Sequence, residues 1–158
     1  MSSRRGISAE RRARILVDTT FLLPALGIGV EEDAEKAIQY FRKFEVYYLE
    51  VGLLEAMWKV LKIVPAAKLS RVRMGITAIR RTYHLLVPRA ESFVEAYRIY
   101  QTGHRDYIDA LHYAVAKTEN IPLLTIDRHF IDFLKEHGYP INGLVYTPRD
   151  IEELLRKS

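Results

Sequence analysis

Residues 14–23 read RILVDTTFLL, and this stretch decides the class of fold. Its apolar run, residues 15–17, predicts a short buried strand, and Asp18 stands at the carboxyl end of that strand. Residues 121–130, with the sequence IPLLTIDRHF, show the same pattern, because a second apolar run there is followed by Asp127. Short apolar runs that alternate with helical patterns are typical of an α/β domain with a mostly parallel sheet.

The rest of the pattern predicts five strands joined by helices, which supply the crossover connections that parallel strands require. The predicted strands are residues 15–17, 46–49, 85–87, 123–125 and 144–146. The predicted helices are an early one through Ala34, Ala37, Ile38 and Phe41, then residues 51–61, 68–82, 90–101, 106–119, 128–137 and 148–157. Thr147 and Pro148 are residue types that favour the N-cap and the first position of the last helix.

Length and composition predict one globular domain. The 158 residues, 49% apolar and 28% charged, are ordinary for such a domain. There is no cysteine, so a disulfide framework and a thiolate zinc site are excluded. Residues 1–18 lack the apolar segment of a secretory signal, and no apolar run approaches the roughly 20 residues that cross a bilayer. We therefore expect a cytoplasmic protein without a membrane partner.

Asp18 and Asp127 are candidate site residues, because ligands of open parallel sheets bind beyond the carboxyl ends of the strands. Each aspartate also has a purely structural alternative. For Asp18 it is a turn of the chain out of its strand, and for Asp127 it is an N-cap for the helix that begins near Arg128. Two apolar strands that both end in aspartate favour a shared site.

Glu55 is a third candidate, in the helical segment LEVGLLEAMWKVLK of residues 49–62. The predicted apolar stripe of this helix consists of Val51, Leu54, Trp58 and Leu61. Helical spacing places Glu55 on or beside that stripe. A carboxylate that faces a core is costly to keep ionised, so it needs either a basic neighbour or a metal ion. Glu50 lies outside this register and is expected to face solvent.

Asp106 and Asp109 stand in the segment HRDYIDALHYAVAKTEN, residues 104–120, with the spacing of an N-cap and an N3 residue. Capping accounts for Asp106 fully, so Asp106 is an additional candidate only. Asp109 begins a face of small residues that can pack close to a sheet, and the helix dipole favours an anion in this first turn. His104 and His112 have no partner at a recognised ligand spacing, and we interpret both as ordinary polar positions.

Positive charge is concentrated in two regions. Residues 1–14 contain five arginines and one glutamate, and no acidic residue occurs between Glu55 and Glu91, where there are eight lysines and arginines. The second region has two interpretations, a solvated helix face and a flank that binds a polyanion such as RNA. Its candidate RNA-binding residues are Arg71, Arg73, Arg80 and Arg81.

These motifs together resemble the PIN-domain family of nucleases. The VDTT of residues 17–20 is similar to the strand-end motif of that family, and Glu55 to its single glutamate in an early apolar helix. The DALHYAVA that begins at Asp109 and the LLTIDRHF that contains Asp127 are similar to its later helix and strand motifs. We therefore expect a single PIN-like domain at residues 14–158. The basic residues 1–13 form an extension outside the family pattern.

The resemblance implies a three-layer α/β/α sandwich that cleaves RNA, with Asp18, Glu55, Asp109 and Asp127 as catalytic metal ligands. Oxygen ligands suit Mg²⁺ or Mn²⁺ better than zinc. Thr19 and Thr125 are expected to orient carboxylates or water, and Asp106 is the candidate for the additional acid that family members often use. The resemblance also implies a homodimer. In size the chain is similar to VapC-like toxins, whose partner is a small antitoxin protein.

Two other functions are compatible with these residues. Aspartate-based phosphohydrolases also place an aspartate at the end of the first strand, but they need a second aspartate two residues later. Thr20 occupies that position here, which counts against this class. The other alternative is a non-catalytic PIN-like module that binds RNA or a protein.

Overall fold

The computed structural model describes residues 12–157 and contains one parallel sheet. Its strands are β1 (Ala13–Val17), β2 (Phe44–Tyr48), β3 (His84–Leu85), β4 (Leu123–Leu124) and β5 (Val145–Tyr146). Their order across the sheet is β3-β2-β1-β4-β5, and every neighbouring pair is parallel. The predicted α/β fold with its five strands is confirmed, although the last three strands pair over only two residues each.

Seven α-helices surround the sheet in the described part of the chain. They are α1 (Glu32–Ile38), α2 (Glu50–Ile63), α3 (Leu69–Thr82), α4 (Ala90–Thr102), α5 (Tyr107–Glu119), α6 (Arg128–Glu136) and α7 (Ile151–Arg156). The predicted last helix begins as a 3₁₀ turn, Pro148–Asp150, before it becomes α7. Thr147 precedes this turn, and its N–H donates to Asp150 Oδ2 at 3.2 Å. Among residues 12–157, no helix is long and apolar enough to cross a membrane.

Two apolar cores lie on opposite faces of the sheet. Side chains along β1 alternate between them, so Ile15 and Val17 enter one core and Leu16 enters the other. The first core also receives buried side chains from α1, α2, α3 and α7, and the second receives them from α4, α5 and α6. Helices therefore cover both faces of the sheet, and the predicted three-layer sandwich is confirmed.

The predicted apolar stripe of α2 is wrong. Leu54, Trp58 and Leu61 are 51%, 50% and 76% exposed. The face of α2 that enters the core consists instead of Gly52, Leu53, Ala56 and Val60. Both sets have helical spacing, but α2 packs too closely for bulky side chains: a Cβ atom at Gly52 would lie 3.2 Å from His112 Nε2. Glu55 therefore lies at the edge of the buried face.

The predicted N-terminal extension, residues 1–13, falls mostly outside the described residues. Of this segment the structure describes Arg12 and Ala13, and Ala13 already belongs to β1. A guanidinium N–H of Arg12 donates to the carbonyl oxygen of Arg42 at 2.8 Å. The first strand thus begins one residue before the predicted domain boundary.

Candidate active site

The centre of the sheet brings two aspartates to the same edge. β1 and β4 are parallel neighbours, with Val17 opposite Leu124. The pairing continues one step further, since the Asp18 N–H donates to the carbonyl oxygen of Leu124 at 3.3 Å. Asp127 follows β4 three residues after Leu124. Both aspartates therefore leave adjacent strands at their carboxyl ends, as the sequence predicts.

Asp18 stands where β1 turns into the 3₁₀ helix Thr19–Leu22, and its Oδ1 accepts the Thr20 N–H at 3.2 Å. The hydroxyl of Thr125 donates a further hydrogen bond to this carboxylate. Thr125 is buried, and its Oγ1 accepts the Asp127 N–H at 3.1 Å. Thr125 thus connects the two strand-end aspartates.

Glu55 reaches the same place from α2. The buried Thr19 donates its hydroxyl to Glu55 Oε1 at 2.5 Å, which ties α2 to the end of β1. Among residues 12–157, Glu55 has no basic partner within ion-pair distance. The salt bridge that was the structural alternative for Glu55 is therefore absent from the described part of the chain.

α5 presents Asp109 from its first turn. Asp106 is the N-cap of this helix, and its Oδ1 accepts the Asp109 N–H at 3.1 Å, so the capping interpretation of Asp106 is confirmed. The carboxyl group of Asp127 lies close enough to contribute to the raised pKa of Asp109. On its other side, Asp109 Oδ2 lies 3.2 Å from His104 Nε2.

Asp127 combines a structural role with its place beside Asp109. It is the N-cap of α6, because its Oδ1 accepts the Phe130 N–H at 3.0 Å. The structural alternative for Asp127 is thus correct. It does not compete with the site interpretation, since the same carboxyl group also contacts Asp109.

Burial and neighbouring charges perturb two of the clustered carboxyl groups, Asp18 and Asp109. Burial, opposed by the hydrogen bonds from Thr125 and Thr20 and reinforced by the charges of Glu55 and Asp127, raises the pKa of Asp18 to about 7. Burial, followed by the charges of Asp106 and Asp127, raises the pKa of Asp109 to about 9. Burial without a nearby positive charge disfavours the ionised form of an acid, and pKa shifts of this kind are frequent at functional sites.

These acids line one cleft of about 570 Å³. Its lining residues are Asp18, Thr19, Thr20, Glu31, Glu55, Lys59, Asp106, Asp109, Ile126, Asp127, Arg128 and His129. The four predicted ligands therefore come from β1, α2, α5 and the turn between β4 and α6, and they face a common space.

The PIN domain family model matches residues 15–135. The chain belongs to the PIN domain family. All four candidate ligands lie inside the matched segment, and the family is one of nucleases. A search of curated proteins found no match.

Three of the solved structures with a similar fold are toxins or toxin–antitoxin complexes from bacteria. A chain of a toxin–antitoxin complex from Klebsiella pneumoniae has a TM-score of 0.59 and 18% identity, over 85% of this PIN domain chain and 97% of that one. VapBC2 from Rickettsia felis, bound to a DNA fragment from its promoter, has a TM-score of 0.59 and 13% identity, with 85% and 98% coverage. VapC20 of Mycobacterium tuberculosis, a toxin that cleaves the sarcin-ricin loop, has a TM-score of 0.54 and 20% identity, with 80% and 96% coverage. At these identities the likeness shows the fold alone.

PIN nucleases generally use divalent metal ions, and the donor set of this PIN domain fits such an ion. In residues 12–157 no three Asp, Glu or His side chains already stand close enough together to hold one. The available donors are nevertheless carboxylate and hydroxyl oxygens, which Mg²⁺ and Mn²⁺ prefer. Burial, with the neighbouring carboxylates, raises the pKa values of Asp18 and Asp109, and a bound cation would favour their ionised forms.

The predicted RNA-binding arginines lie on α3, away from the residues that line the acidic cleft of this PIN domain. Arg80 is already engaged, because its guanidinium donates to both carboxylate oxygens of Glu50, at 2.6 and 2.8 Å, and to the hydroxyl of Tyr48. Arg73 and Arg81 line a separate groove along α3. All four arginines, including Arg71, are exposed.

Sequence reasoning missed three residues of this site. Lys59 and Arg128 line the cleft, are exposed, and form no ion pair with any described residue. Lys59 follows Glu55 by one helical turn, and Arg128 follows Asp127 directly, so adjacency to the acids was an available signal. His104, which the sequence analysis interpreted as an ordinary polar position, contacts Asp109 from the preceding connection.

Proposed function

We propose that this PIN domain is an endoribonuclease that hydrolyses phosphodiester bonds of RNA with Mg²⁺ or Mn²⁺. The convergence of four acids from four separate elements in one cleft carries the proposal. Keeping several carboxyl groups together costs on the order of 4 kcal/mol per charged pair at 4 Å and an effective dielectric of 20. A fold that retains this arrangement is best explained by a cation that offsets the repulsion.

Asp18, Glu55, Asp109 and Asp127 would hold the metal. A bound divalent ion activates a water molecule, holds the scissile phosphate and stabilises the leaving oxygen. Thr19 and Thr125 keep Glu55 and Asp18 oriented through the hydrogen bonds described above. Asp106, with one oxygen occupied by the cap, is an additional acid at the edge of the cleft.

Lys59 and Arg128 would bind the phosphates that flank the scissile one. A cleft with this many acids repels a polyanion, and a metal ion neutralises it only locally. Lys59 on α2 and Arg128 on α6 bring positive charge to the cleft from two elements, and neither is paired with an acid among the described residues. Arg80, in contrast, is held by Glu50. We therefore place the substrate backbone along the cleft rather than along α3.

Removing Lys59 and Arg128 is expected to weaken the salt dependence of RNA binding. Each phosphate contact on a single strand contributes about 0.7 to the slope of log affinity against log salt, so Lys59→Ala with Arg128→Ala should lower the slope by about 1.4. Affinity would be measured by fluorescence anisotropy over a salt series, with Ca²⁺ in place of Mg²⁺ to slow cleavage. The matched control is Arg73→Ala with Arg81→Ala, which removes two charges from α3. If only the control lowered the slope, RNA would bind along α3, and the proposal that it binds along the acidic cleft would be contradicted.

A second copy of the chain is the proposed partner of an apolar surface. Large apolar side chains on α2, α3 and α4 and near β3 are 45–76% exposed: Leu54, Trp58, Leu61, Ile63, Leu69, Met74, Leu85, Val87, Phe93, Val94 and Tyr97. Extensive exposed apolar surface of this kind marks interfaces. Sedimentation velocity should show a species of twice the 18.4 kDa chain mass, and Leu61→Lys should shift it towards the monomer. A monomeric wild-type protein would contradict the homodimer.

Cleavage of a short single-stranded RNA tests the proposed function directly. We expect cleavage with Mg²⁺ or Mn²⁺ and none with EDTA. The likeness to chains from toxin–antitoxin complexes further supports a toxin with a small antitoxin partner. Expression of the wild-type chain should then arrest growth of a host, and Asp18→Asn should relieve the arrest. RNA that is bound but never cut would leave the non-catalytic module as the better description.

A further inference from the structure

His104 lies beside Asp109, against helix α6. It belongs to the short connection between α4 and α5, where Gly103 turns the chain with a φ of 137°. Its Nε2 is 3.2 Å from Asp109 Oδ2, and its side chain is only 16% exposed. This contact has no part in the metal binding or phosphate binding proposed for the other site residues.

The same imidazole ring packs on α6. It is stacked on Phe130, with ring centroids 4.4 Å apart and an interplanar angle of 30°, and the ring of Phe133 lies at 5.3 Å. Phe130 is the residue whose backbone N–H is bonded to Asp127 Oδ1. His104 therefore contacts the carboxyl group of Asp109 through Nε2 and the ring of Phe130 through its ring face. Phe130 in turn donates its backbone N–H to Asp127.

We propose that His104 is a positioning residue that holds the Asp109 carboxyl group in the cleft beside Asp127, where both acids would take part in binding a divalent cation. The inference rests on the proposed function, because it concerns the metal ligands of that reaction. His104 acts through Asp109 and does not contact the reacting atoms.

The buried position of Asp109 explains why such an anchor is needed. Burial is the main reason why Asp109 resists ionisation, and the charges of Asp106 and Asp127 add to it. Without an anchor, an ionised Asp109 would turn towards solvent and lose its place in the cleft. A hydrogen bond from His104 Nε2–H to Oδ2 restrains that rotation and leaves the other oxygen for the cation. Hydrogen-bond partners of metal ligands typically contribute about 10–100-fold to metal affinity.

Two substitutions separate the hydrogen bond from the packing. His104→Phe keeps a ring on Phe130 and removes the nitrogen, whereas His104→Gln keeps a donor on a chain without a ring. The matched control is His137→Phe, because His137 stacks on Phe133 at 4.2 Å and, among the described residues, hydrogen-bonds only with the carbonyl oxygen of Phe133. Mn²⁺ affinity would be measured by electron paramagnetic resonance of the free ion. Melting temperature in EDTA would report the fold.

We expect His104→Phe to weaken Mn²⁺ binding by about tenfold or more, with its melting temperature in EDTA close to that of the wild type. Its RNA cleavage should recover as the Mn²⁺ concentration is raised, which a general loss of structure would not allow. His104→Gln should restore part of the affinity, and His137→Phe should bind Mn²⁺ like the wild type.

Two outcomes would overturn the inference, and each differs from failure of the proposed function. The first is an unchanged Mn²⁺ affinity in His104→Phe while the wild type binds and cleaves. The second is strict additivity of His104→Phe and Asp109→Asn in thermal unfolding with EDTA, because it would show that the contact has no energetic weight. A wild-type protein that neither binds Mn²⁺ nor cuts RNA would instead refute the proposed function.

Discussion

Replacing Asp127 or Asp18 by asparagine is expected to lower RNA cleavage by at least about 100-fold. This exceeds the loss of about 10–100-fold in affinity or activity that is typical when a ligand loses its hydrogen-bond partner. The reason is that a neutral amide is a poor replacement for an anionic oxygen ligand of Mg²⁺ or Mn²⁺. The fold should survive, because an asparagine oxygen can still accept the N–H of Phe130 or of Thr20. Initial rates with Mn²⁺, together with circular dichroism spectra, would test both statements.

Asp106 offers a matched control within the same cleft. Asp106→Asn preserves the cap on α5, since asparagine is as good an N-cap as aspartate, and should reduce cleavage far less. Asp106→Ala should in addition cost about 1 kcal/mol of stability through loss of the cap. Equal catalytic losses at Asp18, Asp106 and Asp127 would show that Asp106 is also a metal ligand and that its separation from the others is wrong.

The metal-free protein is expected to lose stability as the pH rises from about 4 to 9. The unfolded chain releases the protons of Asp18 and Asp109 near pH 4, whereas the folded chain holds them to about pH 7 and 9. Between these values the folded state binds more protons, so the free energy of unfolding falls with rising pH. The contribution of these two groups is fully present below pH 4 and is lost as pH rises through each folded pKa.

Asp109→Asn isolates this effect from every other titrating group. In EDTA its melting temperature should be close to that of the wild type at pH 5 and higher by several degrees at pH 8. Mn²⁺ should raise the melting temperature of the wild type at pH 8 by mass action, and Asp109→Asn should blunt that rise. A melting temperature that falls equally in both proteins between pH 5 and 8, or a wild type that millimolar Mn²⁺ does not stabilise, would contradict the prediction.

The strand-end aspartates show how much of the candidate site could be predicted from the local sequence pattern. An apolar run followed by aspartate identifies a buried strand and its carboxyl end, and parallel strands bring such ends to one edge of the sheet. Asp18 and Asp127 do meet there, on neighbouring strands. Chain order and motif spacing were also enough to select Glu55 and Asp109.

Helix α2 shows where local pattern is insufficient. Two of its faces have apolar residues at helical spacing, and the face with the larger side chains, including Trp58, is the exposed one. At Gly52, α2 approaches His112 of α5 so closely that a Cβ atom would lie 3.2 Å from its Nε2, and Leu53, Ala56 and Val60 complete the buried face. Close approach between distant segments selected the buried face, and hydrophobicity alone predicted the opposite.

The sequence by itself determined the parallel α/β class and the order of its elements, and it predicted the four candidate acids, two after strands and two within helices. These features depend on residue periodicity and on neighbours close along the chain, and both are present in the sequence itself. The tertiary structure decided the pKa values of Asp18 and Asp109, the contact of His104 with Asp109, and which basic residues border the cleft. Electrostatic and hydrogen-bond energies depend on distances of a few ångströms between segments far apart in sequence, and only packing of the helices on the sheet sets those distances.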